Sequence, residues 1–507
     1  MSPPARSGRW LLLLLLALLC IAPRALRLAQ PATSVAGSAG GQVALLLARG
    51  YEPYVHAVQP GLPVGEAALA LAVRAVGPSL GPSLDIAELC NGVAILLVAA
   101  ALWVAGRRLA GPLAGGAAAL LWSWSAWVTH VNLFARADWA ALGTALALAV
   151  YLAPAPLWGR RLLLLALSLA FALGVEFAAA TTAFALLVHL VVTGRARDAL
   201  RLLLALACGV ALLAVLGRAL WGEPFLEQAF VLRLAPAGAV AAEPGTEGAV
   251  ARLLALTEPA IALGLVALVA VGLPRLARPE GAVALVLVAE LMVALARGTA
   301  LRAEDAIALV PASALLGGAL LAELAARRER AAVAGLASAL VLAALLTVPE
   351  RWLPGEPGEE VPGAWFGGRA RATIARQADF LARFSRPQDL VATAEPWSAF
   401  AADRLEFPRE TPRGRVSRGW LVQSLSLREI ALVVEPIEAL GELYDWDLRL
   451  AGMRRFTDDV SGITAWRPAE GWTHPQVRAL APDPERPSDR PRSRPPGPAA
   501  ARAGGQP

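Results

Sequence analysis

The side chains with chemical potential fall in a few short polar stretches. The first carries Gly50-Tyr51-Glu52-Pro53-Tyr54, then His56, Gln59 and Glu66; the second carries His130, Asn132, Arg136 and Asp138. Glu176, Glu223, Glu227, Arg297, Arg302, Glu304 and Asp305 follow, each near the end of a long apolar run. A carboxylate so placed can take a proton, and an arginine can hold an anionic group. Charges at such boundaries also serve as simple topological punctuation. Glu290 differs, because it lies in the middle of an apolar run, where a charge is costly and marks function more often. An arginine such as Arg297, about two helical turns on, is its expected partner. The four histidines, His56, His130, His189 and His474, have no metal-ligand spacing. The chain has no P-loop, no dinucleotide-binding glycine motif and no nucleophile-elbow serine. That argues against a soluble-type hydrolase or a nucleotide-driven pump.

The elements that position these residues are membrane helices. The chain is 57% hydrophobic and 17% charged, with a mean hydropathy of +0.55. Soluble domains are about 45–50% apolar and about 25% charged. Runs of roughly 20 apolar residues suit spanning helices, and only helices or closed barrels satisfy their backbone in lipid. Spans are predicted near 10–28, 86–105, 110–128, 139–157, 162–175, 177–193, 202–220, 254–273, 282–296, 305–324 and 331–348, about eleven in all. The first is read as an uncleaved helix. Residues 29–85 form a long outer loop that includes surface-lying helices.

Arginine sets the orientation. The chain has no lysine, which reads as the bias of a GC-rich bacterial genome. Arg107 and Arg108, Arg160 and Arg161, the group Arg195, Arg197 and Arg201, the pair Arg275 and Arg278, and the group Arg327, Arg328 and Arg330 occupy alternate loops. By the positive-inside rule those loops and the N-terminus are cytoplasmic. Merging 162–193 into one helix would break the alternation, so the sequence predicts two helices with a turn at Glu176. The net charge of +6 is no sign of nucleic-acid binding, because no basic-aromatic stripe accompanies it. Cys20, Cys90 and Cys208 read as buried small hydrophobes.

Composition changes after residue 348. Residues 369–384 read as an amphipathic helix with Ile374, Phe380, Leu381 and Phe384 on its apolar face. Strands are expected at Leu390–Thr393, Ile430–Val434 and Ile463–Trp466, and a helix at Ile437–Tyr444. The expected fold is an all-α polytopic membrane bundle (1–348), a small extracytoplasmic α/β domain (349–481) packed on the outer mouth of the bundle, and a Pro- and Arg-rich disordered tail (482–507).

The order of these pieces resembles the GT-C superfamily of membrane glycosyltransferases, in its bacterial branch of aminoarabinose and protein mannosyl transferases. Ala48-Arg49-Gly50-Tyr51-Glu52-Pro53-Tyr54, Pro60, Pro63 and Val76-Gly77-Pro78-Ser79 look like that family's first outer loop. Gly106-Arg107-Arg108-Leu109-Ala110-Gly111-Pro112-Leu113-Ala114 resembles its turn between the second and third helices, and Arg136-Ala137-Asp138 its acidic second outer loop. Val310-Pro311-Ala312 resembles the proline of its late helix, and Asp389-Leu390-Val391-Ala392-Thr393 with Ala401-Ala402-Asp403-Arg404 its outer domain.

The resemblance implies transfer of a sugar from a polyprenyl-phosphate donor to a lipid, glycan or protein acceptor at the outer face of the plasma membrane. It implies a first-loop carboxylate as the base, with Glu52 as the substitute because it is the first carboxylate after the usual acidic position, and Asp138 as a group that orients the acceptor or shares a divalent metal ion with Glu52. Arg136 or Arg302 would face the donor phosphate, with Tyr54, His56 and Glu304 lining the site. Membrane lipid is the other expected partner, and nucleic acid is not one. The chain departs from the family at several positions. Ala39-Gly40-Gly41-Gln42 stands where an acidic pair is usual, Glu88 where Arg is frequent, Glu176 where Lys is frequent, and Glu304-Asp305 where His or Tyr is usual. Two other readings remain: a catalytically silent relative that binds lipid or a partner enzyme, and a transporter. A transporter favours internal repeats and charges within spans; here only Glu290 lies mid-span, and no repeat is evident.

The arginine alternation yields a topology test. Reporter fusions after Arg278 and after Pro362 are expected on opposite sides of the membrane; finding both on the same side contradicts the arrangement.

Overall fold

In the computed structural model the described residues are 13–23, 34–35, 40–51, 61–125, 128, 136–231, 258–296, 303–327, 334, 369–435 and 443–469, apart from single positions and pairs inside those ranges. Contacts divide the chain into two units, Met1–Ala375 with Glu410–Gly414, and Arg376–Arg409 with Arg415–Pro507.

The first unit is helical. Its helices are α1 (Leu13–Pro23), α2 (Gly40–Ala48), α3 (Val64–Val76), α4 (Pro82–Ala110), α5 (Pro112–Ser123), α6 (Arg136–Tyr151), α7 (Gly159–Val175), α8 (Ala180–Val192), α9 (Ala196–Trp221), α10 (Pro259–Ala267), α11 (Pro279–Ala296) and α12 (Ala303–Ala326). Among the described residues, three helical stretches are long and apolar enough to cross a membrane: Pro82–Ala110, Ala196–Trp221 and Ala306–Ala326. Helices α1, α5, α6, α8 and α10 are apolar but shorter. The predicted span 331–348 lies outside the described residues, save the single helical position 334. The expected break inside 162–193 is present: α7 stops at Val175 and α8 starts at Ala180. The predicted outer loop 29–85 contains α2 and α3, whose 9 and 13 residues are too few to cross a core of about 30 Å.

Glycine sets the tightest helix pairing. Gly111, at φ 94°, makes the turn between α4 and α5, and Pro112 opens α5 at a position where a missing N–H costs nothing. A Cβ on Gly106 would lie 2.8 Å from the Gly115 Cα, so the two backbones meet at a distance only glycine allows. Trp122 is fully buried and donates its indole N–H to the Ile95 carbonyl at 3.1 Å. The result is one apolar core running through α4, α5, α6, α8, α11 and α12. Helix α9 instead leaves Leu200, Leu203, Leu204, Leu212 and Leu216 exposed, as a surface facing acyl chains would.

The alternate-loop arginines are also structural. Arg161 donates to the Val150 and Tyr151 carbonyls at 2.9 and 2.6 Å, and Arg108 donates to the Ala149 carbonyl. The last carbonyls of a helix have no partner within it, and here guanidinium groups cap α6. Arg275 forks onto Glu323 at 2.9 Å to each oxygen, and Arg327 reaches the same carboxylate at 2.7 Å. His189 joins the group, bonded to Tyr151 Oη at 2.6 Å and to the Arg278 carbonyl at 3.0 Å. A carbonyl can only accept, so Nε2 carries the proton and Nδ1 accepts from tyrosine.

The second unit is α/β. Strands β1 (Ser34–Val35) and β2 (Arg369–Ala370) form a short antiparallel pair that belongs to the first unit. Then come α13 (Arg371–Phe384), β3 (Leu390–Ala392), α14 (Pro396–Ala401), β4 (Leu405–Glu406), β5 (Glu410–Thr411), β6 (Gly414–Arg415), α15 (Arg418–Ser426), β7 (Ile430–Val434), α16 (Asp445–Leu450), β8 (Met453–Thr457) and β9 (Thr464–Pro468); of these, β5 falls in the first unit. Five of these strands form one mixed sheet in the order β4-β3-β7-β9-β8. β3 runs parallel to both β4 and β7, while β9 pairs antiparallel with β7 and β8. All five β7 residues are buried, as expected of a central strand covered on both faces. The apolar face predicted for 369–384 is the buried face of α13.

Polar ties complete this unit. Arg404 is buried and donates to Ser385 Oγ at 2.8 Å, the Ser385 carbonyl at 2.6 Å and the Ala402 carbonyl at 2.6 Å. Burial acts to raise the Asp458 carboxyl, but hydrogen bonds from Ser461 and Arg383 outweigh it and hold it below the usual carboxylate value. The predicted helix Ile437–Tyr444 falls largely outside the described residues, as does the tail 482–507.

Candidate functional site

The contacts above gather the ends of α4, α6, α8 and α12 with the starts of α7 and α11 at the arginine-rich end of the bundle. Asp138, Arg136 and Glu304 stand instead in the first turns of α6 and α12. Asp138 is the third residue of α6. It is wholly buried, and its Oδ2 accepts a hydrogen bond from Asn91 Nδ2 of α4 at 3.0 Å. Arg136 is the first residue of α6 and Glu304 the second of α12; their side chains lie outside the description, and Glu52, Tyr54, His56 and Arg302 lie outside it entirely. Of the seven candidates, Asp138 is therefore the one whose surroundings are known.

A second polar group sits among α6, α8 and α11. Thr144 Oγ1 is 3.5 Å from Thr182 Oγ1, and Thr182 donates to Glu290 Oε1 at 3.0 Å. With the Thr182 proton committed to the carboxyl, Thr144 must be the donor in its contact with Thr182. All three side chains are buried. The described partner of Glu290 is thus a threonine. Arg297, the partner expected from the sequence, lies outside the described residues. Glu290 Oε2 is buried with no hydrogen-bond partner among the described residues.

Other polar side chains are buried in the helical unit as well. Gln42 on α2 and Glu66 on α3 are both enclosed. Glu258 caps α10, accepting from the Ile261 N–H at 3.0 Å, where a carboxylate also meets the positive end of the helix dipole. Among the described residues, no group of three or more His, Cys, Asp or Glu side chains could hold a metal ion. Sequence reasoning passed over Asn91, Thr144 and Thr182. The available signal was a polar residue of hydrogen-bonding type inside each of three otherwise apolar runs.

The path of the whole chain decides the fold. It superposes on ArnT from Cupriavidus metallidurans bound to undecaprenyl phosphate with a TM-score of 0.58, at 14% identity, over 92% of this chain and 99% of that one. The chain shares the fold of that GT-C protein. AglB, the oligosaccharyltransferase of Archaeoglobus fulgidus in complex with an inhibitory peptide and a dolichol-phosphate, matches with a TM-score of 0.52 at 12% identity, over 92% of this chain and 75% of that one. No family model and no curated protein matches the sequence. The GT-C likeness is thus one of chain path rather than of residues.

The threonine tie to Glu290 can be measured. Thr182→Val should lower folding stability by about 1–3 kcal/mol, the usual cost of leaving a buried acceptor without its donor. Thr182→Val combined with Glu290→Met should recover most of that loss. Thermal melting in detergent checks both; an unchanged Thr182→Val midpoint would contradict the tie.

Proposed function

We propose that this chain is a membrane glycosyltransferase that moves a sugar from a polyprenyl-phosphate donor to a lipid, glycan or protein acceptor at the outer face of the plasma membrane. The observation that carries the reading is the near end-to-end match with ArnT, a GT-C protein solved with undecaprenyl phosphate bound. A lipid-borne donor lets transfer run outside the cell, where nucleotide sugars are not supplied. The proposed topology has about eleven spans, a cytoplasmic N-terminus, a bundle to residue 348, an extracytoplasmic α/β domain over 349–481 and a disordered tail over 482–507.

The chemistry needs two things of the protein. The phosphate leaving group requires cationic stabilisation as it departs, and Arg136 and Arg302 are the groups assigned to it. The acceptor hydroxyl requires a base. Glu52 takes that role because it is the first carboxylate after the stretch Ala39-Gly40-Gly41-Gln42, where the family's acidic pair is missing. Pro53 biases Glu52 towards an extended backbone. Asp138 orients the acceptor, and Tyr54, His56 and Glu304 line the space around it.

One observation favours a second reading. The stretch Ala39-Gly40-Gly41-Gln42, where the resemblance calls for an acidic pair, has no carboxylate and ends in a glutamine buried in α2, which suits a silent relative that binds polyprenyl phosphate without transferring sugar.

Purified protein supplied with radiolabelled polyprenyl-phosphate sugars and a lipid extract separates the two. Label is expected to pass to the extract, and Glu52→Gln and Asp138→Asn should each slow transfer by roughly 10²-fold or more, the scale of a lost acid–base group. Full activity in both variants contradicts the site. Binding of the donor without any transfer selects the silent relative.

A further inference from the structure

Asp138 is held by a residue that nothing in the proposed chemistry yet employs. We propose that Asn91 is a positioning residue that aims the Asp138 carboxylate at the reacting group; the inference rests on the glycosyltransferase reading.

The argument begins with the amide. Asn91 Nδ2 lies 3.0 Å from Asp138 Oδ2. With Asp138 ionised, turning the amide over would set a carbonyl oxygen against a carboxylate oxygen, two acceptors with no proton between them, so the ionised carboxylate requires this orientation. Asn91 is 2% exposed and Asp138 0%. One to two turns further along the two helices, Ile95, Val98, Ala141 and Leu142 are all buried in the main apolar core. An amide placed beside that core carries a desolvation cost that alanine or leucine would avoid. It is not there to serve a wider network of its own either, because Asn91 Oδ1 is buried without a hydrogen-bond partner among the described residues. What the asparagine supplies is one N–H, delivered to Asp138.

The choice of a neutral donor matters. An arginine in place of Asn91 would orient the carboxylate but also neutralise it. An amide orients it without adding a charge of its own. Both partners stand on regular helices, α4 of 29 residues and α6 of 16, and helices hold a side chain more rigidly than loops do. Asn91 therefore fixes one oxygen of Asp138 and, with it, the direction of the other.

The rival explanation is that the pair merely ties α4 to α6, and exchanging the partners separates the two. Asn91→Asp combined with Asp138→Asn keeps one carboxylate, one amide and the hydrogen bond between them, but moves the charge from α6 to α4. Three proteins besides wild type should be compared by melting temperature and by kcat and KM for transfer from a polyprenyl-phosphate sugar: Asn91→Ala, Asp138→Asn and the exchange. Asn91→Ala is expected to lower kcat by roughly 10- to 100-fold, the usual scale for a lost orienting partner, with KM within about twofold. The exchange should restore the melting temperature to near that of wild type while transfer stays as low as in Asp138→Asn. Wild-type transfer rates in the exchange, or in Asn91→Ala, would overturn this inference and leave the glycosyltransferase reading intact. If wild type itself transfers no sugar, that reading fails and this inference falls with it.

Discussion

Everything in the helical unit follows from the absence of water around its backbone and buried side chains. A carbonyl or carboxyl that loses water must find its partner within the chain. The guanidinium caps on the last carbonyls of α6, the fork of Arg275 on Glu323, the threonine on Glu290 and the asparagine on Asp138 are all answers to that one requirement. They divide by position. At the arginine end, charge meets charge or carbonyl, and the result is a set of tied helix ends. Away from that end, Asn91 and Thr182 donate to the Asp138 and Glu290 carboxyls.

That division links packing to function. In a GT-C fold the glycines of α4 and α5 and the apolar core build a stiff frame. The frame sets where the first residues of α6 and α12 emerge. Those first turns carry Arg136, Asp138 and Glu304, the residues assigned to substrate. Stiffness is what such a site needs, because stabilising a departing phosphate depends on charges already in place rather than on charges that must move.

Much of the fold was legible in the sequence because its signals are coarse and repeated. Apolar length marked the helices, and arginine alternation located the break between α7 and α8 that hydropathy alone leaves ambiguous. The fully buried β7 and the amphipathic α13 were equally plain. Strand β8 was not: in Met453–Thr457 two arginines interrupt the apolar pattern, and one of them, Arg455, is present to pair with Glu435 at 2.8 Å. The site was legible only in part. Asp138 could be singled out as a carboxylate at a helix start, but its partner Asn91 lies 47 positions away on another helix. The same holds for Thr182 and Glu290, 108 positions apart. A single polar residue in an apolar run announces that a partner exists, not which residue it is. For Glu290 the described partner is on another helix, α8.

The central claim is that this bundle handles a polyprenyl phosphate, and the most direct measurement is native mass spectrometry of the wild-type chain released from detergent. The protein would be equilibrated with equal concentrations of undecaprenyl phosphate and phosphatidylglycerol, two phosphate-bearing lipids that differ in tail and headgroup. Retention of one undecaprenyl phosphate per chain in clear preference to phosphatidylglycerol is the expected result. Equal retention of both lipids, or of neither, would contradict it.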